Sequence, residues 1–307
     1  MLPFTTPFDD DGEVDSHALR SNVEQWNETG IGGHIALGST GERVHLNERE
    51  YLKVIETARA SVPSHLAFIV GAGQQSTRAT IDEVRLVAGG AGADAVLVIT
   101  PHFYRTEMTQ GALLEHYLEV ADASPVPLLL YSVPHLTNVQ LAPETIASLA
   151  EHQNIIGVKD SSGDILALAE TIRLVPEGFA VLTGNGSALY PALCVGARGG
   201  ILAIGCVAPH LAVAIYEAFK AGEHERARRM QQTLTFVTRG VLGRYGIGGL
   251  KAALDMLGYQ GGGVVRAPLT PVTEEARREI AKVLTAAGLL GDETSVDESR
   301  SAGALKQ

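Results

Sequence analysis

Eight short apolar runs of strand length alternate with longer amphipathic segments over the first two-thirds of the chain. In order, the runs are Leu2–Thr6, His34–Gly38, Ala67–Gly71, Ala95–Thr100, Val126–Val133, Ile155–Lys159, Ala180–Thr183 and Gly200–Gly205. Such an alternation predicts parallel strands that crossover helices bury on both faces. Because an open doubly wound sheet usually has about five to seven strands, eight strand–helix units favour a closed (β/α)8 barrel, the TIM barrel.

After the eighth run the pattern is only helical, as far as about residue 290. We therefore expect a catalytic barrel over residues 1–207 and a helical extension over 208–290 that packs on the barrel. Residues 291–307 are polar and rich in Ser, Asp and Glu, which predicts a disordered tail. Because the first run begins almost at Met1, the sequence leaves open whether the native start lies upstream.

The charge balance and the cysteines limit the partners and the compartment. The chain carries 24 Lys and Arg against 35 Asp and Glu, a net charge of −11 with His neutral. An acidic surface attracts neither nucleic acid nor an anionic membrane, so neither is an expected partner. The two cysteines, Cys194 and Cys206, lie in apolar runs, which excludes a disulfide framework and indicates a reducing compartment. With no secretory leader and no apolar stretch of about 18 residues, the sequence predicts a cytoplasmic protein.

Two reactive side chains end apolar runs, and the active site of a parallel barrel lies at the C-terminal ends of its strands. Lys159 is the only one of six lysines that ends a buried strand pattern. Desolvation among apolar neighbours disfavours an ammonium, and a neutral amine can attack a carbonyl carbon. Tyr131 lies at the end of the preceding run, so we expect its hydroxyl to reach the Lys159 amine. A lysine that extends into solvent and a tyrosine that caps the core are the structural alternatives.

The other motifs are less specific. The loop Gly38–Glu42, with the sequence Gly-Ser-Thr-Gly-Glu, can turn backbone amides and hydroxyls toward a carboxylate or phosphate, but it is also ordinary turn chemistry. The segment Gly71–Ser76 is similar to a dinucleotide fingerprint whose third glycine is missing. The ten histidines show no metal-ligand spacing, so no metal site is predicted.

Three of these segments together resemble the dihydrodipicolinate synthase / N-acetylneuraminate lyase family of pyruvate-dependent class I aldolases. They are Gly38–Glu42, Tyr131–Pro134 and Gly157–Gly163, in the family's order and at its strand positions. The resemblance extends from Thr6 to about Leu290. It implies a homotetramer built from two dimers. It also implies that no cofactor is needed, because the substrate is held as a covalent imine.

The same resemblance implies a role for each residue of the site. Lys159 would form the imine with the keto carbon of pyruvate, and Tyr131 would relay protons. Ser39 and Thr40 would bind the carboxylate of the 2-oxo acid. Two further residues match positions that line the family's pocket, Gly184 and Ile201. A protonated imine is an electron sink, so the neighbouring carbon–carbon bond can break without a metal.

Three departures from the family pattern bear on the second substrate. Phe103 stands where the family has a tyrosine that enters the neighbouring subunit's site, so either Tyr104 replaces that tyrosine or the relay ends in Thr40 and water. Leu136 stands where dihydrodipicolinate synthases have an arginine that holds the carboxylate of the aldehyde. The segment Gly184–Ser187 replaces the acidic pair with which sialic-acid lyases bind sugar hydroxyls. Both named activities therefore lose support.

The remaining motifs resemble the 4-hydroxy-2-oxoglutarate aldolase branch, in which a serine matching Ser161 touches the hydroxyl end of the substrate. We therefore predict a Schiff-base lyase that joins or splits pyruvate and an aldehyde, with 4-hydroxy-2-oxoglutarate and glyoxylate as the first case. Arg43 and Arg105 are the candidate cations for the distal carboxylate. The alternatives are 4-hydroxy-tetrahydrodipicolinate synthase, a sugar-acid aldolase or dehydratase, and an inactive homologue that binds a 2-oxo acid.

Overall fold

A computed structural model of the protein describes residues 1–90, 92–261 and 263–291. Within these residues, eight parallel strands form one sheet in sequential order, each hydrogen-bonded to the next. The strands are β1 (Leu2–Pro3), β2 (Gly33–Ala36), β3 (Ala67–Ala72), β4 (Ala95–Ile99), β5 (Leu128–Ser132), β6 (Ile155–Asp160), β7 (Ala180–Thr183) and β8 (Gly199–Gly200). Each strand overlaps one of the eight predicted runs.

Backbone hydrogen bonds close the sheet into a barrel. The Met1 amino group donates to the Gly200 carbonyl at 2.9 Å, and the Leu202 amide donates to the Met1 carbonyl at 3.2 Å. These bonds make β1 and β8 neighbours. The predicted (β/α)8 barrel is therefore confirmed.

Most predicted strands have different ends in the structure, and three of these differences have a clear location. β1 stops at Pro3, and β8 stops at Gly200 because Ala203–Cys206 forms a 3-10 turn instead of a strand. β5 begins at Leu128. The preceding Pro127 lacks an N–H group, so it cannot donate to the sheet.

Side chains of the strands alternate between the barrel interior and the helix layer, because successive strand residues point to opposite faces. The outward-facing Val96, Val98 and Leu130 belong to the larger core that the helices share. The interior cluster contains Ile35, Ile69, Ala95, Leu97, Leu129, Tyr131, Val133 and Ile201. The alternation therefore directs Tyr131 into the barrel at the C-terminal end of β5.

Amphipathic helices surround the barrel. Those before β8 are α1 (Ser16–Asn27), α2 (Glu48–Ser61), α3 (Thr77–Gly90), α4 (Gln110–Ala123), α5 (Pro134–Thr137), α6 (Pro143–Leu149), α7 (Ile165–Leu174) and α8 (Leu189–Cys194). At the start of α2, the side chains of Asn47 and Glu50 each accept a hydrogen bond from the other's backbone amide. This capping box satisfies two N–H groups that the helix itself leaves free.

The chain after β8 is helical, as the sequence predicts: α9 (Pro209–Lys220), α10 (His224–Thr238), α11 (Arg244–Met256) and α12 (Glu274–Ala286). A π-helical turn, Arg239–Gly243, joins α10 to α11. α10 packs on the loop that follows β7, where Gln231 Nε2 donates to the Gly186 carbonyl at 2.9 Å. These helices therefore contact the C-terminal face of the barrel, at which parallel barrels carry their sites.

Two further sequence predictions concern the membrane and the chain's end. Within the described ranges, none of the helices is both long enough and apolar enough to cross a bilayer. The disordered tail predicted for residues 291–307 lies, except for Gly291, outside the described residues. The division of the chain between residues 207 and 208 stays a prediction.

Candidate active site

Lys159 and Tyr131 lie beside each other at the C-terminal ends of β6 and β5, where they are register partners. Both are buried, with 3% and 4% of their surfaces exposed. The Lys159 Nζ atom lies 4.3 Å from the centroid of the Tyr131 ring. The structure thus brings together the two side chains that the sequence analysis paired, and it holds the lysine amine away from bulk water.

The Tyr131 hydroxyl contacts a hydroxyl of the loop that follows β2. A hydrogen bond of 3.1 Å joins it to Ser39 Oγ. Thr40 is also buried, with 4% exposed, but no hydrogen bond joins it to Tyr131 in the part of the chain that the structure describes. The 3-10 turn Ser39–Gly41 thus directs Ser39 toward Tyr131. The two alternatives for the relay, through Tyr104 or ending in Thr40 and water, stay predictions.

The surroundings of Tyr131 lower the pKa of its phenol. Burial alone would raise the pKa of this phenol. The charge of Lys159 and the neighbouring hydroxyls of Ser39 and Ser161 act in the opposite direction, and together they lower the pKa below its ordinary value. A phenol with a lowered pKa, hydrogen-bonded to a second hydroxyl, is suited to accept and return a proton.

The turn Ser39–Gly41 is hydrogen-bonded to the segment that follows β1. Thr6 Oγ1 donates to the Gly41 carbonyl at 2.7 Å. Leu37, directly after β2, has a φ of 57°, which is rare for a residue with a β-carbon. The amides of Ser39 and Thr40 belong to the first turn, where a helix supplies no acceptor for them. An anionic group could therefore be bound here by backbone amides and hydroxyls.

Gly184 and Ser161 close the site on the side of β7. A β-carbon added at Gly184 would lie 1.9 Å from Ser161 Oγ and 3.0 Å from Lys159 Cε. Gly184 N also donates to the Asp160 carbonyl at 2.6 Å, which fixes its backbone against β6. Ile201 is fully buried in the same interior cluster as Tyr131. Gly184 and Ser161 thus lie against Lys159, and Ile201 shares an interior cluster with Tyr131. Their contact with a substrate stays a prediction.

Replacing Gly184 by alanine should therefore displace Ser161 and Lys159. Because a misplacement of about 1 Å can cost roughly 10²-fold in rate, we expect the kcat/KM of the reaction at this site to fall by about that factor. Gly178→Ala is the matched control, since a β-carbon there meets nothing within 4 Å. Steady-state kinetics of both variants check the prediction. Equal activity of Gly184→Ala and the control would contradict the tight packing described.

Phe103 and Tyr104 lie on the rim and not inside the site. Their exposed fractions are 73% and 69%, and their rings contact each other edge to face at 5.1 Å between centroids. Gln75 Oε1 holds this loop by accepting from the amides of His102 and Phe103 at 2.9 and 2.8 Å. Within the described residues, no hydrogen bond connects the Tyr104 hydroxyl to Tyr131.

Arg43, a candidate anchor for a distal carboxylate, has other partners. Its guanidinium forms an ion pair with Glu83 of α3 and lies 5.9 Å from the centroid of the Tyr51 ring. An arginine that is already paired would have to break this contact to bind substrate, so the structure gives no support to this role. Arg105 is exposed in the 3-10 turn Arg105–Glu107, and its role stays a prediction.

A group of charged residues behind the Ser39–Gly41 turn was not predicted from the sequence. Glu42, directly after the turn, pairs with Lys251 of α11, and both side chains are buried. A signal existed in the sequence, because Lys251 is a single charge within the apolar helical stretch Gly248–Leu254. A lysine in such a stretch needs a buried partner. The identity of that partner is a long-range contact that the local pattern does not contain.

The described residues contain no group of three or more His, Cys, Asp or Glu side chains placed to hold a metal ion. What the site offers is a buried amine, a phenol with a lowered pKa and a hydroxyl-lined turn, gathered at the C-terminal face of a (β/α)8 barrel. This combination defines the class of barrel enzymes that act on carbonyl substrates through a lysine.

Comparison with known proteins places the chain within that class. The model of the dihydrodipicolinate synthetase family matches residues 1–287, and the chain belongs to this family. It is accordingly a pyruvate-dependent carbon–carbon lyase of the class I type. The resemblance drawn from the three sequence motifs is thereby confirmed at the level of the family.

Individual relatives cover nearly the whole chain. A protein of Syntrophus aciditrophicus named 4-hydroxy-tetrahydrodipicolinate synthase is 36% identical over 95% of this chain and 98% of its own length. The crystal structure of dihydrodipicolinate synthase DapA-2 from Bacillus anthracis is 30% identical, with a TM-score of 0.89 over 93% of this chain and 96% of that one. The structure of YagE, an Escherichia coli K12 protein of the same family in complex with pyruvate, is 28% identical, with a TM-score of 0.88 over 94% and 98%.

Proposed function

We propose that the protein binds pyruvate as an imine on Lys159 and uses it to make or break a carbon–carbon bond with an aldehyde. The observation that carries the proposal is the buried contact between the Lys159 amine and Tyr131, next to Ser39. Loss of water during imine formation requires proton transfers, which Tyr131 and Ser39 would supply. The pyruvate complex of the related YagE supports pyruvate as the keto acid.

The site divides between the two functional groups of pyruvate, and the hydroxyl-lined turn is the part suited to its carboxylate. Ser39, Thr40 and the turn amides would bind the carboxylate of pyruvate, while Lys159 attacks the neighbouring keto carbon. After imine formation, Tyr131 would remove a proton from the methyl carbon next to the imine. The C–H electron pair then forms the C=C bond of the enamine, and the C=N π pair moves to the nitrogen. The enamine carbon then attacks the aldehyde carbon, and the aldehyde oxygen takes up a proton. In the opposite direction, cleavage of the same bond releases the aldehyde and leaves the enamine. No other group is required, and the prediction that no cofactor is needed is carried into this proposal.

The choice of aldehyde separates two of the activities considered from the sequence. The names of the relatives favour 4-hydroxy-tetrahydrodipicolinate synthase over 4-hydroxy-2-oxoglutarate aldolase. The relative cited above is named 4-hydroxy-tetrahydrodipicolinate synthase, so we propose aspartate semialdehyde as the first acceptor to test. One observation keeps 4-hydroxy-2-oxoglutarate as a second candidate. Leu136 of α5 is 58% exposed and uncharged, where the resemblance expects an arginine for the aldehyde's carboxylate.

A direct comparison of the two reactions decides between these candidates. Synthase activity is measured from pyruvate and aspartate semialdehyde, and aldolase activity from pyruvate release by 4-hydroxy-2-oxoglutarate, coupled to lactate dehydrogenase. We expect a measurable but slow synthase reaction because the arginine is absent. A higher kcat/KM for 4-hydroxy-2-oxoglutarate would assign the aldolase instead. Absence of turnover with both, despite imine formation, would leave the binding of a 2-oxo acid as the function.

Replacing Leu136 by arginine tests the reason given for a slow synthase. A hydrogen-bonded charge pair contributes about 1.5–3 kcal/mol, so we expect kcat/KM for aspartate semialdehyde to rise by about tenfold or more. Leu136→Met is the matched control, because it changes the shape without adding a charge. If the arginine and methionine variants show the same kcat/KM, Leu136 does not face the acceptor.

The homotetramer implied by the resemblance is also carried forward as a proposal. The exposed rings of Phe103 and Tyr104 on the same face as the site are large apolar groups that association with another copy would cover. Sedimentation equilibrium of the purified chain measures the number of copies. A species of one chain mass over the whole concentration range would contradict association.

A further inference from the structure

The turn proposed to bind the carboxylate is followed by a residue whose side chain is buried. Glu42 follows Ser39–Gly41 and adopts a left-handed backbone conformation, with φ 54° and ψ 31°. Its side chain is only 1% exposed. A buried carboxylate is costly unless it is paired and hydrogen-bonded, so its partners show what the turn is attached to.

The first partner comes from the helices that follow the barrel. Lys251 of α11 places its Nζ atom 2.5 Å from Glu42 Oε1, and its own side chain is 3% exposed. The same Nζ donates to the Val264 carbonyl at 2.6 Å and lies 4.2 Å from the centroid of the Phe8 ring. Burial lowers the pKa of Lys251 to about 8, although Glu42 acts in the opposite direction. The ammonium is therefore directed to Glu42 from a fixed position.

The second partner is Arg266. Its backbone amide donates to Glu42 Oε2 at 2.9 Å. Its guanidinium forms a two-pronged ion pair with Glu50 of α2, at 2.8 and 2.6 Å, and lies 4.5 Å from the centroid of the Phe8 ring. The Glu42 carboxylate is thus held at both oxygens by a segment more than 200 positions later in the chain.

From these contacts we infer that Glu42 and Lys251 are positioning residues: their buried ion pair attaches the Ser39–Thr40 turn to the C-terminal helices and thereby sets its geometry for the carboxylate of the keto acid. This inference rests on the proposed function for its ligand. It assigns to the helical extension a part in substrate binding, although none of its residues needs to touch the substrate.

The energetics of buried pairs support a positioning role over a purely stabilising one. The desolvation of two charges cancels much of their attraction, so a buried ion pair adds little stability compared with apolar residues of the same size. A pair in this place does, however, admit only one arrangement of the two groups. Glu42 lies one residue from the turn and two from Thr40, so its displacement would move the groups proposed to bind the carboxylate.

The direct test compares amide hydrogen exchange in the free protein for wild type, Lys251→Met, Glu42→Gln and the double variant. Lys251→Met removes the amine but keeps the length of the side chain, and Glu42→Gln keeps the shape and removes the charge. We expect exchange of segment 38–45 to accelerate by about tenfold in each single variant, because the local opening of the turn costs less. The strand 95–99 serves as an internal reference and should be unchanged.

Arg277→Met is the matched control for the loss of an ion pair on α11. Arg277 of α12 pairs at 2.6 Å with Asp255 of α11, the helix that carries Lys251, and both side chains are about one-third exposed. This variant should leave the exchange of segment 38–45 within about twofold of wild type.

Kinetics then show whether the attachment serves binding. We expect KM for pyruvate to rise by about tenfold in Lys251→Met, while kcat changes by less than about threefold, which is the pattern of lost ground-state binding. In the double variant, the melting temperature should return toward wild type because no unpaired charge remains buried, whereas KM and the exchange rate should stay raised.

Two results would overturn the inference. The first is unchanged exchange of segment 38–45 in both single variants. The second is a double variant that regains wild-type exchange and KM together with its stability, since the pair would then only cancel charge. If wild type itself forms no imine with pyruvate, the proposed function fails, and the exchange measurement alone still decides whether the pair holds the turn.

Discussion

Lys159→Met is expected to lower turnover by about 10⁴-fold or more. The amine is the only group in the described site that could hold pyruvate covalently, and loss of a catalytic nucleophile typically costs a factor of this size. Methionine keeps the aliphatic stem and its packing, so the fold should be preserved. The measurement is pyruvate consumption or release under saturating substrate, together with the melting temperature of the variant.

Lys159→Arg separates nucleophilicity from charge. Arginine retains a positive charge near Tyr131, but its guanidinium stays protonated and does not form an imine. It should therefore be as inactive as the methionine variant. Lys282→Met, at a residue whose side chain is 73% exposed, is the control for removal of a lysine and should be fully active. An arginine variant with more than about one-hundredth of wild-type activity would show that the charge, and not the imine, carries the reaction.

Tyr131→Phe should lower kcat by about 10²–10⁴-fold, the usual contribution of a positioned acid–base group. The phenyl ring fills the same space, so pyruvate should still bind and still be trapped slowly on Lys159 by borohydride. The loss should appear in kcat more than in KM. Single-turnover measurements of imine formation and of product release show which proton transfer is slowed.

Tyr117→Phe is the matched control for this prediction. Tyr117 is also a buried tyrosine, but its hydroxyl donates to the Val98 carbonyl at 3.1 Å, outside the site. This variant should lose stability without losing kcat. If the two phenylalanine variants have the same kcat, Tyr131 does not transfer protons and its contact with Ser39 is only structural.

Most of the barrel could be predicted from the sequence because strands buried on both faces read as uninterrupted apolar runs. The ends of the strands were harder to predict. The run Gly200–Gly205 is as apolar as a strand, yet its last residues form a 3-10 turn. Pro127 sets the start of β5 through its missing N–H group, a constraint that an apolar run conceals.

The proximity of the two central side chains of the site, Lys159 and Tyr131, could be predicted for the same reason. Lys159 and Tyr131 end adjacent runs, and adjacent runs pair in register in a sequentially ordered barrel. The contact between Ser39 and the Tyr131 hydroxyl could not be predicted, since it depends on how a 3-10 turn rotates the serine side chain.

Long-range contacts were the other feature that could not be predicted from the sequence. The sequence could not show that Arg43 is engaged by Glu83 of α3, a residue 40 positions later in the chain. For the same reason, the attachment of Glu42 to Lys251 and Arg266 could be recognised only from the structure. These contacts join residues that no local pattern relates, and they decide which side chains are available to a substrate.

The central claim is that pyruvate becomes covalently bound to one particular amine. The most direct measurement is to reduce the wild-type protein with borohydride in the presence of pyruvate, digest it, and locate the modified lysine by mass spectrometry. We predict one reduced pyruvate per chain, on the peptide that contains Lys159. An unmodified Lys159, or modification of another lysine in its place, would contradict the mechanism.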